Sequence, residues 1–258
     1  MKLVFIGASD FGFECLGIIR HIKEIEVVGI ISNEPKFSIS YNKEGVQNVL
    51  YKDFGELAES DAIPFYRMKE NMKEEGLTTF LSSCKPDLVV VIGWYHMITG
   101  QLLSQYVFTG IHASLLPDYS GGAPLVWAII NGEEKTGVTY FYFDEGVDSG
   151  DIIAQEEIEI SNTDTIKEVY KKAELGAKEI LKKYLPLMAI GKAPRIKQDP
   201  EKRRIFPQRK PSDGEIDWNW DSKRIQDFIR AQTKPYPGAF TIINGKKITI
   251  WDSSVEDL

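Results

Sequence analysis

Leu88-Val89-Val90-Val91-Ile92-Gly93, introduced by Pro86-Asp87, is an uninterrupted apolar run of strand length. A run without alternation belongs to a strand buried on both faces, the habit of parallel sheets covered by helices. Leu3–Gly7 and Val27–Ser32 read the same way and flank Phe11–Ile22, which has helical spacing, so the chain opens as a β-α-β unit. Asn33 to Tyr51 is polar and reads as a loop with a helix beginning near Glu44 and running through Leu57. A short strand at Ile63–Tyr66 and a helix at Met72–Ser83 then lead back to the central run. Strand–helix alternation of this kind predicts a Rossmann-like α/β fold with an open, mostly parallel sheet.

The pattern changes after Gly132. Gly137–Phe143 and Asp151–Ile160 read as strands, and an amphipathic helix follows from about Asp164 to Tyr184, with Thr163 or Ser161 as its cap. Gly191 to Lys210 contains Pro194, Pro200 and Pro207 and has linker composition. Beyond it come a helix at Ser222–Ala231 and a hairpin, Phe240–Ile243 and Lys247–Trp251, around the type I′ signal Asn244-Gly245. The expected organisation is a catalytic domain at 1–190, a linker at 191–210 and a small α+β subdomain at 211–258.

With 258 residues, 43% of them apolar, the chain can bury a sizeable core, which excludes disorder. No apolar run reaches the roughly 18 residues that span a bilayer. Cys15 and Cys84 are far apart and form no metal or disulfide pattern, so a reducing cytoplasm is the expected location, with no membrane partner. Net charge is −7; residues 191–258 carry 14 Lys/Arg against 10 Asp/Glu, an excess of 4. That excess is thin for a nucleic-acid protein, and no nucleic-acid partner is expected.

Three stretches bear on chemistry. Gly7-Ala8-Ser9-Asp10-Phe11-Gly12 lies between strand and helix, with Glu34 after the second strand, as in dinucleotide enzymes. Ser9, however, places a side chain where a pyrophosphate must approach, so a plain tight turn is the better reading. The second stretch is Gly110-Ile111-His112-Ala113-Ser114-Leu115-Leu116-Pro117, which puts His112 at a strand end, where open α/β sheets form their ligand crevice. Thirty-six residues later, Asp144-Glu145-Gly146-Val147-Asp148-Ser149-Gly150-Asp151 is an acidic loop whose glycines suggest a bent backbone aiming Asp148 inward. A carboxylate beside an imidazole favours the protonated ring and fixes its orientation, which suits proton transfer near neutrality. With no nucleophile motif and no metal-ligand spacing, the pair points to direct transfer between two bound substrates, and no metal is expected.

His112-Ala-Ser-Leu-Leu-Pro117, Gly121-Gly122-Ala123-Pro124, Asn131-Gly132-Glu133, Thr136-Gly137-Val138-Thr139 and Gly146-Val-Asp-Ser-Gly-Asp151 resemble, in order, the formyltransferases that use 10-formyltetrahydrofolate. The resemblance runs from Met1 to Trp251. It implies His112 and Asp148 as catalytic residues. It also implies a folate site from Trp94, Tyr95, His96, Met97, Ile98, Asp144 and Val147. An acceptor site would draw on Ser114, Tyr119, Gly121, Arg209, Lys210 and Tyr236, and the chain would be a homodimer. Two positions depart from the family. Gly110 stands where relatives have an asparagine that polarises the formyl oxygen, so another donor (His112 or a water beside Gly110) replaces it, the enzyme is slower, or its chemistry has drifted. Ser120 stands where relatives often carry an arginine. Trp127, Gly93-Trp94, Asp213–Trp218 and Pro235–Phe240 look most like the branch acting on UDP- or dTDP-linked amino-dideoxy sugars. Methionyl-tRNA formyltransferase, or a catalytically weak binding relative, is the alternative.

Overall fold

The structure, a computed structural model, describes residues 1–39 and 42–256. In chain order its elements are β1 (Lys2–Ile6), α1 (Asp10–Ile19), β2 (Glu26–Asn33), β3 (Lys36–Ile39), β4 (Asn42–Gln47), α2 (Gly55–Ser60), β5 (Phe65–Met68) and α3 (Glu75–Cys84). These are followed by β6 (Leu88–Val91), α4 (Gly100–Gln105), β7 (Phe108–His112), β8 (Ser120–Gly121), α5 (Pro124–Ile130), β9 (Lys135–Tyr142) and β10 (Ile152–Glu159). The chain then forms α6 (Ile166–Ala189), β11 (Ile205–Phe206), α7 (Ser222–Arg230), β12 (Ala239–Ile243) and β13 (Lys246–Ile250).

Two units make up the chain: Met1–His112 with Thr139–Gln155 and Ala177–Gln198, and Ala113–Val138 with Glu156–Gly176 and Asp199–Leu258. They interleave along the sequence.

The first unit is built on a seven-stranded sheet ordered β10-β9-β7-β6-β1-β2-β5. Pairings from β5 through β7 are parallel, and β7–β9 is antiparallel. The run that decided the fold is central, with every residue of β6 buried. α1 buries Gly12, Cys15, Leu16 and Ile19, the i, i+3, i+4, i+7 face of an amphipathic helix. On the α3 and α4 side, Val4, Ile31, Met68, Val89, Leu77, Leu81 and Leu102 form one apolar cluster, with Trp94 and Phe143 packed against it.

The segment 33–51 differs from its expected loop and helix: β3 and β4 pair as an antiparallel hairpin. The expected strand at 63–66 sits two residues later, at Phe65–Met68. α6 is capped at neither Thr163 nor Ser161. Glu168 accepts from the Thr165 N–H at 2.9 Å, and Thr165 Oγ1 accepts from the Lys167 N–H at 3.2 Å.

In the second unit, α7 and β12 bury Ile216, Phe228, Ile229 and Ala239 together. β12 and β13 pair across Asn244 and Gly245, both at positive φ (+50° and +72°), as a type I′ turn requires. Segment 199–210 is no free linker: β11 pairs with β8, with Ser120 N–H to Arg204 O at 3.0 Å and Gly122 N–H to Phe206 O at 2.9 Å. Among the described residues no helix is long and apolar enough to cross a membrane.

Candidate active site

The first turn of the chain can be settled by accounting for its N–H groups. Gly7 donates to Ile31 O, Ala8 to Gly93 O, Asp10 to Leu50 O, and Gly12 to Ser9 Oγ at 3.2 Å. These donors are committed within the protein, so they form no phosphate cradle of the dinucleotide type. The glycines serve close packing: a Cβ on either Gly7 or Gly12 would lie 2.5 Å from Ile92 O. Glu34 lies 3.6 Å from the Arg67 guanidinium.

His112 ends β7. β9 runs antiparallel beside it, so Tyr142 pairs with Thr109 and the Phe143 N–H donates to Phe108 O. The loop after Phe143 returns Asp148 to His112, with Nδ1 3.6 Å from the Asp148 carboxylate and side chains 11% and 23% exposed. That separation exceeds a hydrogen bond but brings the charges into contact range, and both groups remain accessible to a ligand. Asp148 itself is held at φ +52°, the left-handed region that non-glycine residues rarely adopt. Asp144 folds the loop, accepting from the Gly146 N–H at 3.0 Å and from Ser149 Oγ at 2.7 Å. At Gly150 any Cβ would overlap Tyr142 O.

The turn after β6 brings together the folate candidates. Trp94 and His96 rings lie 5.3 Å apart, and Phe37 of β3 packs on Tyr95 at 5.3 Å and His96 at 5.2 Å. Tyr95 donates to Asn48 Oδ1 at 3.1 Å. Met97 and Val147 are exposed, whereas Ile98 is buried in the apolar cluster, so it shapes the turn from beneath. The acidic loop meets this turn, since a Cβ at Gly100 would stand 3.0 Å from Glu145 Oε1. Trp94 Nε1 and His96 Nε2 are buried without a hydrogen-bond partner in the protein. Burial pushes the His96 pKa down from 6.5, against a smaller opposing effect of Glu74.

Gly110 corrects one expectation. A Cβ there would lie 2.5 Å from Val91 O and 2.6 and 2.7 Å from Phe143 Cε1 and Cζ. The place of the family asparagine is filled by the Phe143 ring, and that side of Gly110 has no room for a water.

Several acceptor-site candidates are also corrected, all within the second unit. Ser114 is fully buried and donates to Asp118 O at 2.7 Å, bracing the loop. Tyr119 is 6% exposed, its ring stacked 4.4 Å from Phe206 and its hydroxyl donating to Glu133 at 2.6 Å, so it is packed in protein rather than offered to a nucleobase. Arg209 donates from Nη2 to Asp213 O and Gln232 Oε1 at 2.6 and 2.7 Å and lies 4.7 Å over Trp127, so at least part of its guanidinium is committed within the protein. Gly121, at φ +95°, lets the Phe206 carbonyl approach closely. Lys210 is exposed, and Tyr236 is half-buried with its hydroxyl bonded to Tyr170. Sequence reasoning missed Phe143, Phe37 and Gln198; only the placement of Ile196 as a lone apolar residue in the basic stretch hinted that 194–198 packs.

Comparison with known proteins fits this geometry. Residues 1–185 match the formyl transferase family and 209–258 match the formyl transferase C-terminal domain. The chain is 34% identical over 259 residues to a methionyl-tRNA formyltransferase of Clostridioides difficile, covering all of this chain and 81% of that protein. Its fold is shared with a 4-N formyltransferase from Francisella tularensis (TM-score 0.75, 22% identity, 100% and 98% of the two chains). It is also shared with an N-formyltransferase from Helicobacter canadensis solved with folinic acid and dTDP-3-aminofucose (TM-score 0.69, 21% identity, 96% and 86%). The two family matches and the full-length relative establish that this chain belongs to the formyl transferase family.

Proposed function

We propose that this formyltransferase moves the formyl group of 10-formyltetrahydrofolate onto the amine of a UDP- or dTDP-linked amino-dideoxy sugar. The observation that carries the reading is the approach of His112 Nδ1 to the Asp148 carboxylate at 3.6 Å, beside a turn whose buried nitrogens have no protein partner. The folate donor supplies an electrophilic formyl carbon next to a nitrogen that can leave.

Asp148 faces Nδ1 of His112, which fixes how the ring is turned. His112 takes a proton from the attacking amine and returns it to the departing folate nitrogen, so the proton count balances and the C–N bond formed replaces the one broken. Once it has taken the amine proton, the His112 ring can donate a hydrogen bond to the oxygen of the tetrahedral intermediate, where Gly110 offers no side chain. Asp148 holds the ring in register. A placed acid–base group contributes about 10²–10⁴-fold, and holding two reactants together supplies much of the remainder.

The sugar acceptor is supported by the resemblance of Trp127, Asp213–Trp218 and Pro235–Phe240 to that branch, and by the small positive excess of residues 191–258. Arg209, Lys210 and Tyr236 are the candidates left on the acceptor side. The test follows tetrahydrofolate release with a panel of UDP- and dTDP-linked 3- and 4-amino sugars, methionyl-tRNA and a blank without acceptor. Turnover with a sugar alone is expected. Turnover only with methionyl-tRNA would overturn the acceptor, and release in the blank alone would mean a hydrolase. His112→Ala and Asp148→Asn should each lower turnover by at least about a hundredfold without unfolding the protein.

A further inference from the structure

Residues 194–198 follow α6 as a strap along the loop that carries Asp148. Ile196 exchanges both backbone hydrogen bonds with Ile152, at 2.7 and 2.9 Å. Arg195 Nε lies 2.7 Å from the Asp151 carboxylate, with the guanidinium 4.2 Å over the Tyr142 ring. Gln198 completes the strap: its Nε2 donates to Asp148 O at 2.8 Å and to Gly150 O at 2.7 Å. A side-chain amide has two N–H donors, and both are used on the two carbonyls that bracket Ser149. The orientation is forced, because turning the amide over would set its oxygen against both carbonyls. The Gln198 oxygen is left buried without a protein partner, so those two carbonyls alone fix the group.

We infer that Gln198 is a positioning residue that holds Asp148 against His112. Asp148 needs such a hold. Its backbone sits at φ +52°, a conformation that persists in a non-glycine residue only when its surroundings over-determine it. The loop's own bonds start from Asp144 and reach Gly146 and Ser149; those of Gln198 seize the Asp148 and Gly150 carbonyls from the other side. Losing them frees the peptide groups on either side of Ser149, and the Asp148 carboxylate drifts from the imidazole while the sheet below stays intact. The inference rests on the proposed catalytic role of Asp148, but the clamp can be measured without any turnover.

The variants are Gln198→Met, which keeps length and removes both donors, and Gln198→Glu, which keeps shape and turns acceptors toward the carbonyls. In either, amide hydrogen exchange over residues 144–151 should rise by about tenfold or more while residues 88–92 are unchanged. Formyl transfer should lose about tenfold or more in kcat, with KM for donor and acceptor held within about threefold. In an Asp148→Asn background, Gln198→Met should cost nothing further, since it acts only through Asp148. Unchanged exchange over 144–151 overturns the clamp, whatever the enzyme's substrate. Raised exchange with an undiminished kcat, a loss confined to KM, or an additive loss in the Asp148→Asn background overturns the positioning role. Absence of formyl transfer by the unmodified protein would remove the proposed function, and the exchange measurement would still decide the clamp.

Discussion

Restoring asparagine at Gly110 would give this chain the residue its relatives carry, and the structure predicts that the change is harmful. The first new atom is the Cβ, 2.5 Å from Val91 O and 2.6–2.7 Å from two carbons of the Phe143 ring. Ordinary contacts between carbon atoms stand near 3.5–4.0 Å, so the ring must retreat by about an ångström. Val91 O cannot retreat in the same way, because Val91 is paired with Gly110 in the β6–β7 ladder. Forcing extra atoms into a packed core costs about 1–3 kcal/mol, and an asparagine amide buried there without partners adds about 1–3 kcal/mol. A loss of roughly 2–6 kcal/mol follows, a large share of the 5–15 kcal/mol typical of a domain. Urea unfolding followed by tryptophan fluorescence reads the stability, and tetrahydrofolate release reads the rate. Gly110→Asn with Phe143→Ala should cost less than the two single losses combined, since two of the three close contacts involve the ring. A Gly110→Asn protein stable to within about 0.5 kcal/mol and faster than the parent would refute the reasoning. It would show that space existed and that the missing amide limited the rate.

Other perturbations test other parts of the molecule. Burial lowers the folded pKa of His96 below 6.5, so its contribution to stability is complete above that pH and is lost as pH falls through the lowered folded value. Urea midpoints at pH 7.5 and 5.5 should therefore fall further apart in the parent than in His96→Gln, and equal differences would contradict the assignment. Arg230 is 8% exposed, lies 2.7 Å from Asp227 and donates to Asp164 O at 2.6 Å. Arg230→Met should cost about 3 kcal/mol by chemical denaturation, the low end for a broken buried pair, because Lys223 stays on Asp227 at 2.7 Å. Gly150→Ala should lift the acidic loop off Tyr142 and lower turnover by about tenfold with folding retained, whereas parental kinetics would show that the loop tolerates displacement.

The parts of the fold legible in the sequence are those where burial leaves a continuous pattern. β1, β2 and β6 carry mainly apolar, largely buried runs, the habit of parallel strands covered on both faces. The β3–β4 hairpin was missed although Phe37, Ile39 and Tyr41 alternate with polar residues, because the short run sits in a segment rich in polar residues whose Gly45 and charges read as a loop. At the site, His112 and Asp148 could be found because a strand end and a glycine-bracketed acidic loop are local features. Gln198 could not, because its partners lie 48 and 50 residues away and its own surroundings are basic and proline-rich. Phe143 was hidden for a different reason. In Gly137–Phe143 it is one aromatic among several, and nothing in the run tells which ring lies over Gly110.

The glycines of this protein show how one residue type serves two opposite ends. Gly7 and Gly12 resemble a phosphate-binding fingerprint, yet the backbone they admit is Ile92 O of their own sheet, and the N–H groups around them are already bonded. Gly110 likewise admits a neighbour, the Phe143 ring, where relatives place a reacting side chain. A gap in the side-chain pattern is therefore no sign of an opening for a ligand. Trp94 Nε1 and His96 Nε2, buried with no hydrogen-bond partner in the protein, are instead the positions to test for the donor, beside the loop that carries Asp148. A folate analogue bound at that turn should protect the Trp94 indole N–H from exchange. An indole N–H that exchanges at the same rate with and without the analogue would move the donor site elsewhere.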